Sequence, residues 1–384
     1  MDKLEKAFKN IIESNNLTDL KKRLGKGGFG LVREVSYKGK AYAAKLIKKE
    51  DDEENDESKI ILEFRGPGIV KVNKIIDKNV DGESYHLILM EKAPLRSLKE
   101  FNYQLHNKNA LKLLFRSPFE VVGDNLLRFY VKQIVKGLEL LDRSNFSHFD
   151  IKPQNILTFI GINLKLTDFG LLRNPEKNKT NDNKFRIPGG THGYLTPEFY
   201  QNKALVNLED AKKQDYFALG ATIYQLKYGE EMLNYKEYND NLMTSDLIID
   251  LIQKSIDKIK SKKLSDKEFI DFLCSLIQYR PNERPDFEKI YRNKWLNKNA
   301  EEIEEISENN ELDEKKLLME MNKSDFLIEK SIYFNNKKNN NNNIIKDENN
   351  NNNNKSENKN INKKKIINKG NRPKFIFKDG TKYY

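Results

Sequence analysis

A run of glycines near the start of the chain could bring backbone groups close to a phosphate. Gly25, Gly27, Gly28 and Gly30 lie between two stretches of strand-like sequence. Because glycine has no Cβ, its backbone N–H groups can approach phosphate oxygens without a steric clash. The same spacing occurs in dinucleotide-binding folds and in plain glycine turns. Residues 31–37, however, favour a strand, whereas a dinucleotide-binding fold needs a helix at this point.

A second candidate is a lysine at the end of the next strand-like stretch. Lys45 alone would normally be a surface charge, but glutamates follow it in the chain. An ion pair with a glutamate on a helix would hold the ammonium group toward phosphate oxygens. The spacing to residues 66–70 favours Glu57 for this role, and Glu53 and Glu54 compete with it.

The third candidate is a pair of short motifs further along the chain. Residues 148–155 are His-Phe-Asp-Ile-Lys-Pro-Gln-Asn, and residues 168–170 are Asp-Phe-Gly. Together with the glycine run and Lys45, their order and spacing resemble the eukaryotic protein kinase family from about residue 17 to residue 296. The two motifs correspond to the catalytic loop and the metal-binding motif of that family.

The resemblance implies a role for each polar residue of the two motifs, with ATP and Mg²⁺ as cofactors. Phosphoryl transfer depends on positioning and charge neutralisation more than on covalent chemistry by the protein. Asp150 would act as the catalytic base for the substrate hydroxyl, and Lys152 would steady the transferring phosphate. Asn155 and Asp168 would hold the magnesium ions, and Lys45 would contact the α- and β-phosphates, with Glu57 as its partner.

The resemblance also implies a nucleotide-binding set. Val32, Ala43 and Leu157 would enclose the adenine, and the backbone of Glu91 and Ala93 would form hydrogen bonds with the base. The full implied set is Gly25, Lys26, Gly27, Gly28, Phe29, Gly30, Val32, Ala43, Lys45, Met90 at the gatekeeper position, Glu91, Ala93 and Leu157.

The type of acceptor is indicated by two features of the resemblance. Lys152, two residues after Asp150, is the serine/threonine pattern, and residues 190–198 resemble the corresponding substrate loop, in which Thr191 would brace Asp150 and Lys152. The sequence is thus similar to protein serine/threonine kinases, which transfer the γ-phosphate of ATP to Ser/Thr hydroxyls of protein substrates. A catalytically inactive, ATP-binding scaffold is the alternative, and the intact core motifs oppose it.

The sequence departs from the family at several positions. Phe149 replaces an arginine that normally pairs with a phosphate on the activation segment, which phenylalanine cannot do. We therefore hypothesise that activity does not strictly depend on phosphorylation of this segment, for example at Thr180. Gln154 replaces a glutamate found in kinases that select arginine, and residues 173–186 are basic. Together these features argue against strongly basic substrates, and solvated loop charges are the alternative interpretation. Thr196 replaces alanine, a mild change.

Hydrophobic periodicity predicts the elements that position these residues. Five short strands with one helical interval at 57–64 indicate a small antiparallel sheet, and the sequence after residue 94 favours helices. We expect an α+β, bilobal, kinase-like fold with a small β-rich N-lobe, a larger α-rich C-lobe and a disordered C-terminal tail. The predicted strands are 19–24, 31–37, 40–46, 69–76 and 86–91, and the predicted helices are 125–143, 215–227, 246–259 and 267–278.

The chain divides into five predicted regions. A leading helix over 1–14 precedes the N-lobe at 15–94 and the C-lobe at 95–296. Residues 297–334 are acidic, with apolar residues at helical spacing, and form either a docked amphipathic helix or a solvated charged segment. Residues 335–384 form an Asn/Lys-rich tail, which cannot bury enough apolar area to fold.

Composition excludes several classes of protein. The net charge of +11 comes from 69 Lys+Arg against 58 Asp+Glu, and it is spread over a basic kinase-like region, an acidic segment and a basic tail. Any nucleic-acid contact by that tail would be nonspecific and salt-sensitive. The single cysteine, Cys274, excludes an intrachain disulfide. With no apolar run long enough to span a membrane and no secretory signal, we expect a cytoplasmic location, or a nuclear one.

Overall fold

A computed structural model describes most of the chain. The described residues are 3–27, 30–49, 61–62, 64–106, 124–200, 204–233, 245–261, 266–298, 375–376 and 382–383. The chain forms two compact units, Met1–Ser324 and Asp325–Tyr384. In the second unit, the described residues form two short antiparallel strands, Phe375–Ile376 and Lys382–Tyr383. The rest of the predicted tail, and residues 299–334 of the predicted acidic region, lie outside the described residues.

The N-lobe is a five-stranded antiparallel sheet. Its strand order is β1-β2-β3-β5-β4. Two of its hairpins turn on residues with positive φ, Lys38-Gly39 and Asp81-Gly82. Two-residue turns of this kind match the twist of the strands they join. The strands are β1 (Thr18–Gly27), β2 (Gly30–Tyr37), β3 (Lys40–Lys48), β4 (Val72–Val80) and β5 (Glu83–Glu91).

The leading helix α1 (Lys3–Ser14) covers one face of this sheet. It buries Ala7, Phe8, Ile11 and Ile12 against alternate residues of the strands. Because side chains alternate across a strand, residues such as Leu31 and Val35 face α1, while Val32 and Lys45 face the other side of the sheet. The predicted leading helix is therefore part of the N-lobe core.

Phe8→Ala should lower the free energy of unfolding by about 3–5 kcal/mol, because it leaves a cavity beneath α1. Phe8 is 1% exposed, and the Arg33 guanidinium lies 5.5 Å from its ring centroid. Urea denaturation of the full chain would measure the change. Lys9→Ala on the exposed face of α1 is the control and should shift stability by less than about 0.5 kcal/mol. Equal stability of the two variants would exclude α1 from the folding core.

A glycine contact joins the two lobes. Residues 68–70 leave the N-lobe and pair with β7 (Asn163–Leu166), with Val70 N–H donating to Leu166 O at 2.9 Å and Leu166 N–H donating to Gly68 O at 2.7 Å. A Cβ on Gly68 would lie 2.5 Å from the backbone nitrogen of Gly137 in the long helix below. Only glycine permits this approach.

The C-lobe is mainly helical. As the periodicity predicted, α3 buries Leu127, Tyr130, Ile134 and Leu138 on one face. Trp295 is fully buried and stacks on Phe272, with ring centroids 5.5 Å apart. The helices are α2 (Leu98–His106), α3 (Asp124–Arg143), α4 (Pro197–Tyr200), α5 (Leu208–Tyr228), α6 (Ser245–Ser261), α7 (Lys267–Leu276), α8 (Phe287–Tyr291) and α9 (Lys294–Asn297).

The structure differs from the sequence-based prediction at several points. The predicted helix 215–227 begins seven residues earlier, at Leu208. The predicted strand 69–76 is observed as Val72–Val80, because residues 68–70 pair with β7 and the Asp81-Gly82 turn ends β4. The C-lobe also contains two antiparallel strand pairs that were not predicted, since three- and four-residue strands carry little periodicity. They pair β6 (Ile156–Phe159) with β7, and β8 (Lys184–Arg186) with β9 (Leu205–Asn207). Within the described ranges, no helix has the length and apolarity needed to cross a membrane.

Candidate active site

The candidate site is centred on a buried carboxylate in the loop after α3. Asp150 is 3% exposed. Its Oδ2 accepts hydrogen bonds from Lys152 Nζ at 2.6 Å and from Asn155 Nδ2 at 2.8 Å, and its Oδ1 accepts one from Thr191 Oγ1 at 2.7 Å. Lys152 Nζ also donates to Thr191 Oγ1 at 2.5 Å. Three donors, two from the same loop as Asp150 and one from residues 190–198, hold the carboxylate in one orientation.

The orientation of the Asn155 amide is set by the same network. Its Nδ2 donates both to Asp150 Oδ2 and to Asp150 O, the latter at 2.9 Å. Because both amide hydrogens are engaged, the Oδ1 atom is left as an acceptor or metal ligand. The short 3₁₀ turn Pro153–Asn155 brings Asn155 back to Asp150.

A second carboxylate, Asp168, pairs with the N-lobe lysine. Lys45 Nζ lies 2.8 Å from Asp168 Oδ1. Burial alone would raise the pKa of Asp168, but the Lys45 ammonium outweighs it and holds that pKa below its ordinary value. The predicted partner Glu57, like Glu53 and Glu54, lies outside the described residues, so that pairing stays a prediction.

The glycine run lies close to β3, as expected for residues that have no Cβ atom. Gly27 pairs with Gly30 across the start of the β1–β2 hairpin. Gly30 has φ +123°, and a Cβ there would lie 2.1 Å from Leu46 O. No other residue fits at this position. Gly28 and Phe29 lie outside the described residues, as does the side chain of Lys26.

The implied adenine-binding residues come together around the junction of the lobes. Ala43 and Met90 are opposite each other in the β3–β5 pairing, and both are buried. Val32 on β2 and Leu157 on β6 are half-buried. Among the described residues, the Ala93 backbone N–H has no protein acceptor, which leaves it available to a base.

Asp215 anchors the catalytic loop from below, a role that periodicity did not indicate. This residue on α5 accepts hydrogen bonds from His148 N at 2.6 Å and from Phe149 N at 2.8 Å. Burial raises the pKa of Asp215 to about 7, although the two backbone N–H groups oppose the shift. The signal available in the sequence was an aspartate directly before the mostly apolar run 216–223.

Phe149 lies in an apolar cluster, where the family pattern has an arginine. Its ring stacks on Phe185 with centroids 5.3 Å apart and an interplanar angle of 21°. Ile187, Val206 and Ala211 complete the contact. The activation segment, which contains Thr180 and Phe185, is therefore held against the catalytic loop by hydrophobic packing and by the pairing of β8 with β9.

Arg284 and Glu198 form a buried ion pair that ties residues 190–198 to the end of the C-lobe. Arg284 Nη1 lies 2.8 Å from Glu198 Oε1, and Nη2 donates to Glu198 Oε2 at 3.0 Å. Arg284 is 2% exposed and also donates to the backbone oxygens of Gln278 and Tyr279. The Thr196 hydroxyl donates to Gln214 Oε1, so threonine is accommodated at this position.

The donor set fits Mg²⁺ and a phosphate chain. Asn155 Oδ1 and the Asp168 carboxylate are the hard oxygen ligands that Mg²⁺ prefers, and this ion commonly completes its shell with water and substrate phosphates. Within the ranges the structure describes, no group of three or more His, Cys, Asp or Glu side chains could hold a metal without such help. Bound Mg²⁺ would neutralise charge on the phosphates of ATP.

Comparison with known proteins places this geometry in a family. The protein kinase domain model matches residues 18–296. The chain is 30% identical over 287 residues to an Aurora kinase of Saccharomyces cerevisiae, covering 73% of this chain and 69% of the relative. It is 29% identical over 250 residues to a probable serine/threonine-protein kinase of Dictyostelium discoideum, covering 64% of this chain and 50% of the relative.

A third relative is longer. The chain is 26% identical over 291 residues to the human hormonally up-regulated neu tumor-associated kinase, covering 72% of this chain but 36% of that protein. The chain thus spans half or less of two of these three relatives. The matched family model nevertheless covers the whole bilobal fold and both catalytic motifs, and the chain belongs to the protein kinase family.

Proposed function

We propose that this chain is an ATP-dependent protein serine/threonine kinase, which transfers the γ-phosphate of ATP to Ser/Thr hydroxyls of protein substrates. The observation that carries the proposal is the set of hydrogen bonds on Asp150 from Lys152, Thr191 and Asn155. A carboxylate held in this way can accept the proton of an incoming hydroxyl. The Dictyostelium and yeast relatives are both named as kinases, which supports kinase activity. The Dictyostelium relative is named as a probable serine/threonine-protein kinase, which supports the Ser/Thr type.

The proposal assigns a role to each neighbouring group. Lys152 steadies the transferring phosphate, Asn155 and Asp168 hold Mg²⁺, and Lys45 binds the α- and β-phosphates. Val32, Ala43 and Leu157 enclose the adenine. When bound, Mg²⁺ supplies charge neutralisation on the phosphates.

The experiment that tests the proposal is transfer of labelled phosphate by the purified full chain. We expect incorporation from ATP into generic protein substrates in the presence of Mg²⁺, loss of incorporation with a chelator, and label on serine or threonine. Binding of ATP without transfer would instead support an ATP-binding scaffold. A fluorescent fusion would test the proposed cytoplasmic or nuclear location.

Thr180→Ala is expected to keep at least half of the activity. The Thr180 hydroxyl accepts the Lys184 N–H at 3.2 Å within a tight turn, and Phe149 offers no cation to a phosphate at this position. Initial rates of the purified variant and of wild type, the wild type measured both before and after phosphatase treatment, measure the effect. Ser144→Ala, outside the segment, is the matched control. A near-total loss in Thr180→Ala alone would overturn the hypothesis that activity is independent of this phosphorylation.

A further inference from the structure

A cleft of about 260 Å³ lies beside the connection between the lobes. Its walls include Pro67 and Gly68 from the connecting segment, Gln133 and Lys136 from α3, and Phe159 from β6. The floor is near the backbone hydrogen bonds that tie residues 68–70 to β7. None of the proposed catalytic residues lines this cleft, so it requires a separate explanation.

The helix that forms one wall of the cleft carries a row of cations. Arg128, Lys132 and Lys136 occur at intervals of four residues on α3, which places them on one face of the helix. Burial lowers the pKa of Lys132, and the charges of Arg128 and Lys136 lower it further. We refer to these three residues as the cationic stripe.

Two members of the stripe, Lys132 and Lys136, lack the compensation found for other cations nearby, whereas Arg128 is 4% exposed and donates a hydrogen bond to Asn125 Oδ1. Lys165, also at the cleft, pairs with Glu91 at 2.6 Å, and Arg143 on α3 pairs with Glu139 at 2.5 Å. In the described part of the chain, no carboxylate pairs with Lys132 or Lys136. Unneutralised like charges at this spacing destabilise a helix, so a bound anionic group would relieve the repulsion.

The kinase domain ends close to the start of the stripe. Trp295 of α9 lies under Arg128, with the guanidinium carbon 5.3 Å from its ring centroid. Lys298, the last described residue of this region, pairs with Asp266 at 2.8 Å. Residues 301–314, which follow almost at once, contain eight Asp/Glu and no Lys or Arg. We refer to them as the acidic segment.

Distance permits the acidic segment to reach the whole stripe. Eight helical residues separate Arg128 from Lys136, a rise of about 12 Å. Residues 299–305 can span about 23 Å when extended. Ile303 and Ile306 lie between the glutamates in the sequence, so the segment also has apolar side chains for the apolar part of the cleft at Phe159.

We propose that the acidic segment binds the cationic stripe of its own chain and fills the adjacent cleft. Charge complementarity, the exit point of the chain at Lys298 and the reach of the segment all favour this occupant over a separate acidic partner. The inference concerns a surface away from the catalytic residues and does not depend on kinase activity. Because the cleft adjoins the lobe connection, the bound segment would brace it.

Zero-length carbodiimide cross-linking of the full chain, followed by mass spectrometry of the monomer, tests this proposal. We expect intramolecular links from Lys132 or Lys136 to residues 301–314. The exposed pair Lys6–Asp81, with 2.8 Å between Nζ and Oδ2, is the internal positive control. Its links must form in every sample, which shows that the chain is folded and the reagent active.

Charge exchange provides the matched variants. Lys132→Glu with Lys136→Glu should reduce thermal stability by a few degrees and abolish these links. Adding Glu304→Lys with Glu305→Lys should restore links between the same two sites, with the amine now on the acidic segment and the carboxylate on α3. Lys78→Glu with Lys267→Glu, at exposed positions elsewhere, should leave the original links unchanged.

Three outcomes would overturn the proposal. The acidic segment could link only to lysines of the 335–384 tail, or only to other surfaces of the domain. It could also link to Lys132 and Lys136 only between molecules, with a yield that rises with protein concentration; this would indicate a separate acidic partner. A failure of the exchanged variant to regain links while its Lys6–Asp81 control forms would likewise contradict direct pairing.

Discussion

Asp150→Asn should reduce phosphate transfer by a factor of about 10²–10⁴, the usual contribution of a positioned general base. The amide cannot accept the substrate proton. It also presents N–H donors toward Lys152 or Thr191, which themselves donate to the carboxylate in the wild type. ATP affinity should change little, because the implied phosphate and adenine contacts come from other residues. Initial transfer rates and an equilibrium binding titration with ATP measure the two effects separately.

Asp271→Asn is the matched control for this variant. Asp271 is an exposed residue of α7, and its substitution should leave the transfer rate unchanged. Equal rates for wild type and Asp150→Asn would point to a contaminating kinase or to a different catalytic base. Loss of ATP binding in Asp150→Asn would instead indicate that the loop had collapsed, which Tm and circular dichroism would detect.

Phe149→Ala should lower stability by about 3–5 kcal/mol and reduce transfer more than tenfold. Phe149 directly precedes Asp150, and its ring stacks on Phe185 of the activation segment. The cavity would release both the segment and the Thr191 hydroxyl that donates to Asp150. Phe149→Leu, which keeps most of the apolar contact, should retain most of the activity.

Two further variants test whether the contact between Phe149 and Phe185 organises the activation segment. Phe185→Ala removes the other half of the stack and should reproduce the loss of activity, while Phe159→Ala, a half-buried aromatic outside the cluster, should not. A charge introduced by Thr180→Glu should not rescue Phe149→Ala, since no arginine is present to bind it. Full activity of Phe149→Ala would show that the apolar cluster does not organise the segment.

The sequence predicted those parts of the site that depend on local chemistry. The glycine run was predicted to allow close backbone approach, and a Cβ at Gly30 would indeed lie 2.1 Å from Leu46 O. Residues 148–155 were identified by resemblance as the catalytic loop, and the structure adds that Asn155 returns to Asp150 there. The long helix α3 was predicted within one residue at its start, because its apolar residues repeat at the helical period over several turns.

Other parts of the site depend on contacts between distant segments. The Lys45–Asp168 pair joins residues 123 positions apart, whereas spacing along the chain drew attention to nearby glutamates. Asp215 reaches the backbone of His148 across 67 positions. The β6–β7 and β8–β9 strand pairs were missed because strands this short are stabilised by their surroundings more than by their own hydrophobic pattern.

Taken by itself, the sequence determined the family, the order of the catalytic groups and the division into a β-rich and an α-rich lobe. The family and the order of the catalytic groups follow from the resemblance of the motifs, and the division into lobes follows from hydrophobic periodicity, which acts over a few residues. Only the tertiary structure decided which groups meet: which donors hold Asp150, what replaces the arginine at Phe149, and where Lys298 leaves the domain relative to the cationic stripe. Long-range contacts of this kind are set by packing of the whole core, and the sequence pattern of any single element does not contain them.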